Sequence, residues 1–421
     1  MTKKRKLLTA ALAIVLALAL ILVVVRFAFP DAWNDGVDYL KSLFLKGSTP
    51  EGALSAVFLD VGQGDCIFLA LPDGKTMLVD GGDNLKAVEE AIALFFTKYG
   101  VEKLDYVVLT HTDADHCGSL DYAIKSVKHV EKVYFPKIDD KNRSLGLSSE
   151  YKVKDTAAYL NAVKEAKNAK KESGEECEID FLTGIIEITG AGYKITMYCR
   201  SDEYYKTMRI NDAHDANDVS PIIIVECNGR KLVLTGDANK SDISSSSEKN
   251  FLDIMASKGV RNLDFDADIL KVAHHGGKDS SGDDFLSFVK CEYAVISVGG
   301  EPSEEREPYS LYINQSLKNL GSVFMLYPNK KYGHPTAEVA STNGRLYRNG
   351  VKELYITWLA GTVECSVNEE GVISFKTERV AVDNNGTIEF KERGEINDGV
   401  ISLKINLFIK RDDFWLLLEL N

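Results

Sequence analysis

The stretch DYVVLTHTDADHCGSL, Asp105 to Leu120, restricts the fold more than any other part of the chain. An apolar run that reads as a β-strand ends at Thr110, and His111, Asp113, Asp115 and His116 follow at once. Two later runs have the same form: KLVLT leads into Gly236 and Asp237, and DILKVA into His274 and His275. Three apolar strands that release metal-type ligands where the chain leaves the sheet are what a layered α/β fold with one polar site at the strand ends requires.

The rest of the sequence agrees. AVFLDV, CIFLAL, KTMLVD, HVEKVYF, YKITMYC, PIIIVEC, YAVISVG and SVFMLY also read as strands. Helical patterns cover 86–98, a segment from Gly118, 154–171, 249–258 and 311–320. Such alternation predicts α/β layers. The turns joining the first three strands are too short for crossover helices, so these strands pair antiparallel and the sheet is mixed, unlike a dinucleotide-binding domain. Residues 161–176, NAVKEAKNAKKESGEE, read as a charge-rich helix running into a solvated loop. After Val351, short β runs and an NNG turn signal predict added strands or a small β module without histidine.

The N-terminus carries a separate signal. MTKKRK precedes an uninterrupted apolar run, Leu7 to Val25, closed by Arg26. A run of that length nearly crosses a hydrocarbon core, and its positive flank predicts a single-pass anchor with everything after it extracellular. A cleaved signal peptide, giving a secreted protein, is the alternative. The expected division is an anchor over 1–29, a linker over 30–52, a hydrolase domain over 53–350 and a β-rich extension over 351–421.

Composition narrows the partners. The 421 residues are 45 % hydrophobic with a net charge of −13, which supports a large core and gives no overall attraction to nucleic acid. The seven cysteines form no CxxC pair, so a zinc ribbon has no support. Their odd number leaves at least one thiol free or paired between chains. Those in DCIFLAL and IIIVEC read as small buried hydrophobes.

In HTDADH, His111 and Asp113 can face one cation while Asp115 and His116 face a second, with Asp237 able to bridge both. Two divalent ions about 3.5–4 Å apart would share a hydroxide, acidify it and neutralise the attacking and leaving oxygens of a phosphoester. Each motif alone is also a common solvated turn. Their joint occurrence, each at the end of an apolar run, favours the site.

FLDVGQGDCIFL (Phe58–Leu69), LVDGG (Leu78–Gly82), LTHTDADHCGSL (Leu109–Leu120), NDVSPIIIVECNGRKLVLTGD (Asn217–Asp237), DILKVAHHGGKDSS (Asp268–Ser281) and NKKYGHP (Asn329–Pro335) stand in this order along the chain. Over about residues 53–370 they resemble the metallo-β-lactamase superfamily, in particular the extracellular hydrolase domain of the ComEC DNA-uptake family. The resemblance implies an αββα sandwich of mixed sheets. It implies His111, Asp113, Asp115, His116, Asp237 and one of His274 and His275 as metal ligands, with His274 preferred as the nearer to the strand end. The wider superfamily has histidine where Asp113 stands, and the ComEC-like branch has Asp. The harder donor set makes Mn2+ a rival to Zn2+. Where the superfamily often has a further histidine, this chain offers only His214; the NDxS element instead makes Asn217 and Asp218 the groups that support a ligand or face substrate, and leaves His214 as a loop residue.

Other motif residues have roles with plain alternatives. Asp60, Gln63, Gly64 and Asp65 form a turn that lets the backbone approach a ligand, or simply a tight turn. Asp80 can orient a ligand histidine. Lys278 and Ser280 can hold a phosphate, and His334 with Tyr332 can donate a proton to the leaving oxygen or pack as ordinary side chains. His129 reads as surface. Asp115, Asp237 and His334 are the expected catalytic groups.

The ComEC family's many membrane helices and oligonucleotide-binding-type domain have no counterpart in the motifs, so transport does not follow from the resemblance. HHGG in place of HHGS also removes a hydroxyl near the metals. The reading is a membrane-anchored, two-metal phosphodiesterase or nuclease acting on DNA through a bridging hydroxide. The alternatives are a phosphodiesterase of teichoic-acid phosphocholine and a non-catalytic metal-binding surface module; β-lactam hydrolysis fits least.

Overall fold

In the computed structural model, the described residues are 52–138, 156–207, 216–240, 246–277, 279–299, 345–346 and 349–378, with short strands at 311–312, 324–325, 380–382, 388–390, 403–410 and 413–420. β1 (Leu54–Phe58), β2 (Ile67–Ala70) and β3 (Thr76–Val79) form the expected antiparallel meander. Helix α1 (Lys86–Tyr99) leads to β4 (Lys103–Val108), which runs parallel to β3. α2 (Ala114–Cys117) and α3 (Leu120–Lys125) precede β5 (His129–Phe135), and α4 (Thr156–Asn168) precedes β6 (Glu178–Phe181); both strands continue the parallel pairing.

The second sheet is mixed in the opposite sense. β7 (Ile185–Gly190), β8 (Tyr193–Tyr198), β9 (Ile222–Cys227) and β10 (Arg230–Leu234) pair antiparallel. After α5 (Ser247–Ser257), β11 (Ile269–Lys271) lies parallel to β10; after α6 (Asp283–Val289), β12 (Tyr293–Ile296) lies parallel to β11. Ser246 caps α5 by accepting the Lys249 amide at 3.2 Å.

The two sheets pack face to face. Leu69, Met77 and Val108 of the first share one buried cluster with Ile195, Ile223 and Leu232 of the second. On the outer face of the second sheet, Ile224, Val233 and Leu270 cover Phe251 of α5 and Phe285 of α6. The Phe251 ring lies 5.3 Å from Tyr198, 5.9 Å from Phe285 and 5.8 Å from Phe288. Burial of such a ring contributes about 1.5–3 kcal/mol. On the first sheet, Tyr159 of α4 meets Phe135 of β5 edge-on at 5.7 Å. Strands covered on both faces must be apolar throughout, which is why PIIIVEC does not alternate.

The strands after β12 are divided among several places. β13 (Leu311–Tyr312) and β14 (Phe324–Met325) form a two-residue ladder. β15 (Glu353–Ile356) joins β12 in parallel, whereas β16 (Val363–Val367) pairs with β1 and β17 (Ile373–Thr377) with β16. β18 (Val380–Val382) with β19 (Ile388–Phe390), and β20 (Leu403–Lys410) with β21 (Asp413–Leu420), are separate hairpins. The helix expected from Leu311 is corrected at its start, because Leu311 and Tyr312 pair with Met325 and Phe324 as strand.

By its contacts the chain divides into two compact units, Thr49–Leu94 with Glu102–Asn421, and Met1–Ser48 with Phe95–Val101. In the smaller unit the described part is the end of α1 and its turn, where the Phe95 and Tyr99 rings lie 4.5 Å apart. The membrane placement read from the N-terminus is also corrected: among the described residues no helix is long and apolar enough to cross a membrane. The apolar run Leu7–Val25 lies outside the described residues.

Candidate metal centre

Three chain reversals meet where the two sheets touch. β4 ends at Val108, and the chain turns through His111 and Asp113 into α2, which carries Asp115 and His116. β10 ends in the turn holding Asp237, and β11 in a short turn whose His274 and His275 have left-handed backbones, each with φ 50°. Left-handed conformations are costly for residues with a Cβ and persist only where surrounding contacts hold them. Here Ser280 Oγ donates to the carbonyls of Ala273 and Gly277, both at 2.8 Å, and the Ala273 amide donates to Ser281 Oγ. Arg345 donates from behind to the carbonyls of Ser280 and Ser281.

The glycines of the early motifs make room beneath α2. A Cβ on Gly64, whose φ is +136°, would lie 2.2 Å from the Asp115 carbonyl oxygen. That carbonyl accepts the Asp65 amide, and the His116 carbonyl accepts the Gly81 amide. GQGD and LVDGG therefore form the cradle on which the ligand helix rests.

Asp115, His116, Asp237 and His275 each present a donor atom within 4.8 Å of the others. His116 Nε2 lies 3.1 Å from Asp237 Oδ1, and His275 Nε2 lies 3.1 Å from Asp115 Oδ2 and 3.3 Å from Asp237 Oδ2. His111 Nε2 and His274 Nε2 are each 3.9 Å from Asp237 Oδ2. His111 is fully buried and its Nε2 has no hydrogen-bond partner. Such an atom is expensive to bury unless a ligand satisfies it.

The opposite ring nitrogens are anchored. His116 Nδ1 faces Asp80 Oδ2 at 2.8 Å, and His275 Nδ1 faces the Ser297 carbonyl at 2.8 Å. These acceptors leave Nε2 of each ring pointing into the cluster, the arrangement by which proteins orient metal-binding imidazoles. Asp80 itself accepts the Thr110 amide at 2.7 Å and the Thr110 hydroxyl at 2.8 Å. His111 Nδ1 lies 3.0 Å from Thr110 Oγ1, and Ser220 Oγ accepts the Asp237 amide at 3.2 Å.

Charges in the cluster act strongly on one another. Burial pushes the His116 imidazole down, but Asp237, Asp80 and Asp65 outweigh it and hold the ring well above its ordinary range. For His275 the same opposition, with Asp237 and Asp115 prevailing over burial, raises the ring to about 10. Burial and the neighbouring His116 charge lower His111. Against burial, the histidines hold Asp237 and Asp115 well below the usual carboxylate range. The site is thus a buried set of carboxylates suited to positive charge, with imidazoles that offer a lone pair once a cation takes that role. The donor set fits divalent cations.

The other expected residues divide. Asp113 precedes α2 in extended backbone and lies outside the tightest donor group, as do His111 and His274. His275 belongs to that group and is buried, while the His274 side chain, the preferred ligand of the pair, is 35 % exposed. Asp65 and Asp80 are buried beside the histidines; Asp60 is half-buried and Gln63 exposed. Asp218 is enclosed, its Oδ1 accepting from Asn239 Nδ2 at 2.7 Å and its carbonyl from Arg200, and Asn217 is buried next to it. Ser280 is buried with its hydroxyl turned to the main chain, so it clasps the histidine turn instead of presenting a phosphate contact. His129 opens β5 opposite Lys103. His214, Lys278, Tyr332 and His334 lie outside the described residues. One residue escaped the sequence reading: Lys271, fully buried at the end of β11, contacts Asp65 Oδ2. A lysine inside the apolar run DILKVA was the available signal.

Residues 59–176 match the model of the metallo-beta-lactamase superfamily. The chain is 25 % identical over 256 residues to ComE operon protein 3 of Bacillus subtilis (strain 168), a match that covers 57 % of this chain and 28 % of that protein. The chain therefore spans little more than a quarter of that relative's length. Among solved structures, the metallo-beta-lactamase fold protein YhfI from Bacillus subtilis is 11 % identical with a TM-score of 0.38, covering 77 % of this chain and all of YhfI. CmlA, a diiron beta-hydroxylase from Streptomyces venezuelae, is 10 % identical with a TM-score of 0.37, covering 73 % of this chain and 53 % of CmlA. The matched family segment contains HTDADH and the cradle beneath it, and the mixed-sheet α/β fold agrees; over residues 59–176 the chain matches the metallo-beta-lactamase superfamily, and it is similar to a ComE operon protein.

Proposed function

We propose that this chain is a metal-dependent phosphodiester hydrolase acting on DNA and using two divalent cations, Zn2+ or Mn2+. The observation that carries the reading is the convergence of His111, Asp115, His116, His274 and His275 on the Asp237 carboxylate, with the Nδ1 atoms of His116 and His275 already anchored. In this reading Asp237 would be shared by two cation sites. Asp115, His116 and His275 would hold one cation, and His111, Asp113 and His274 the other.

Two cations held there would acidify a water and neutralise charge on both oxygens of a displacement at phosphorus. The chain's own part is positional. Asp80 and the Ser297 carbonyl fix two imidazoles, Ser220 fixes the Asp237 backbone, and His111, His116, Asp237 and His275 are buried while His274 and Asp115 stay partly exposed. Lys278 and His334 are the candidates to protonate the leaving oxygen. A net charge of −13 means that phosphate is attracted locally, by the cations, and not by the protein as a whole.

The reading is tested with the purified protein and Mn2+, Zn2+ or EDTA on linear DNA and on a chromogenic phosphodiester. Metal-dependent cleavage of DNA is the expected result. Cleavage of the small diester alone would exclude DNA, and cleavage of neither by metal-loaded protein would contradict the hydrolase reading.

A further inference from the structure

The fully buried side chain of Lys271 has no role in the reading above. It lies at the end of β11 with an exposure of 0 %. Its ammonium contacts Asp65 Oδ2, donates to the Gly236 carbonyl at 3.0 Å and lies 3.8 Å from Asp237 Oδ1. Asp65 is also fully buried, and its carboxylate reaches behind both anchored histidines, 3.8 Å from His116 Nδ1 and 3.8 Å from His275 Nδ1.

Fold stability does not account for this pair. A buried ion pair gains little over apolar side chains of similar volume, because desolvation offsets the attraction between the charges. The neighbours of Lys271 in the strand, Ile269 and Leu270, are apolar and fully covered, so uncharged side chains in place of both Lys271 and Asp65 would suit the fold. What the charge does is local. Asp65, Asp80 and His116 form a second group with the composition of a cation site. Lys271 sits on Asp65, while Thr110 and His116 take up both oxygens of Asp80. The cation of this second group is the lysine ammonium, and the Gly236 carbonyl it holds immediately precedes Asp237.

We propose that Lys271 is a positioning residue of the metal centre: paired with Asp65, it holds Asp237, His116 and His275 in place for the divalent cations. The inference rests on the metal-centre reading of the same site.

The test uses the full chain as wild type, Lys271→Met, and Lys271→Met combined with Asp65→Asn. Mn2+ and Zn2+ affinities are measured by competition with a chromophoric chelator, and folding by circular dichroism. Lys271→Met alone strands a buried carboxylate and can unfold the protein; the double variant removes both charges at nearly constant volume. A folded double variant that binds the metals about 10–100-fold more weakly than wild type supports the proposal, since that is the usual effect of losing a group that orients ligands. A folded double variant with wild-type affinity overturns it and makes the pair purely structural. Wild-type protein that binds neither metal overturns the metal-centre reading and this proposal with it.

Discussion

His116 Nε2 and Asp237 Oδ1 lie 3.1 Å apart, so the turn after β4 in one sheet meets the turn after β10 in the other. Neither sheet holds the donor set alone. The site forms only when the cluster between the sheets is packed, which ties metal binding to the global fold and makes bound cation a stabilising ligand.

Asp80 accepts three donors, the Thr110 amide, the Thr110 hydroxyl and His116 Nδ1. Asp80→Asn replaces one acceptor oxygen by an amide that must face a donor. The expected outcome is a folded protein whose metal affinity falls about 10–100-fold, measured by chelator competition. Unchanged affinity would remove Asp80 from the support of the site.

Gly64→Ala places a methyl group 2.2 Å from the Asp115 carbonyl at a φ of +136°. The α2 cradle must shift, so stability should fall by about 1–3 kcal/mol and metal affinity should fall with it. Urea unfolding and metal titration measure the two effects, and wild-type behaviour in both would contradict the account of the GQGD turn.

All seven cysteines are free and buried, and burial raises the Cys177 thiol to about 11 and the Cys291 thiol to about 12. Native protein at pH 8 should therefore leave a disulfide reagent unreacted, while urea-unfolded protein titrates seven thiols. The folded values lie above the ordinary 9.0, so the protonated thiols favour the native state fully below that pH. This advantage is lost as pH rises through 9 toward 12, at up to about 1.4 kcal/mol per pH unit for each such thiol. A urea midpoint that does not fall between pH 8 and pH 10 would contradict this.

The metal-type residues and the mixed sheets were legible because strand ends and short turns are local features. HTDADH, the TGD turn and the histidine pair each follow an apolar run, and each arrives at the Asp237 cluster. Which of His274 and His275 lies in the tightest donor group was not legible. Distance from the strand end says nothing of direction when both residues are left-handed, and it is His275 that enters the tightest group. Lys271 and Ser280 were opaque for a related reason. The partner that explains Lys271, Asp65, comes from the opposite sheet's first turn, and Ser280 is explained by the carbonyls of its own turn. The strand at Leu311 depends on pairing with Phe324 and Met325, a long-range contact that helical periodicity does not report.

The central claim is that Asp237 joins two cation positions in one hydrolytic site. The measurement that tests it most directly is the metal content of wild type and Asp237→Asn after exposure to Mn2+ or Zn2+ and gel filtration, with cleavage of linear DNA followed on the same samples. The account predicts two ions per wild-type chain, loss of at least one in the variant, and a fall in cleavage of at least about 100-fold, the scale of losing a group that stabilises transition-state charge. Equal metal content and equal cleavage in the two proteins would contradict it.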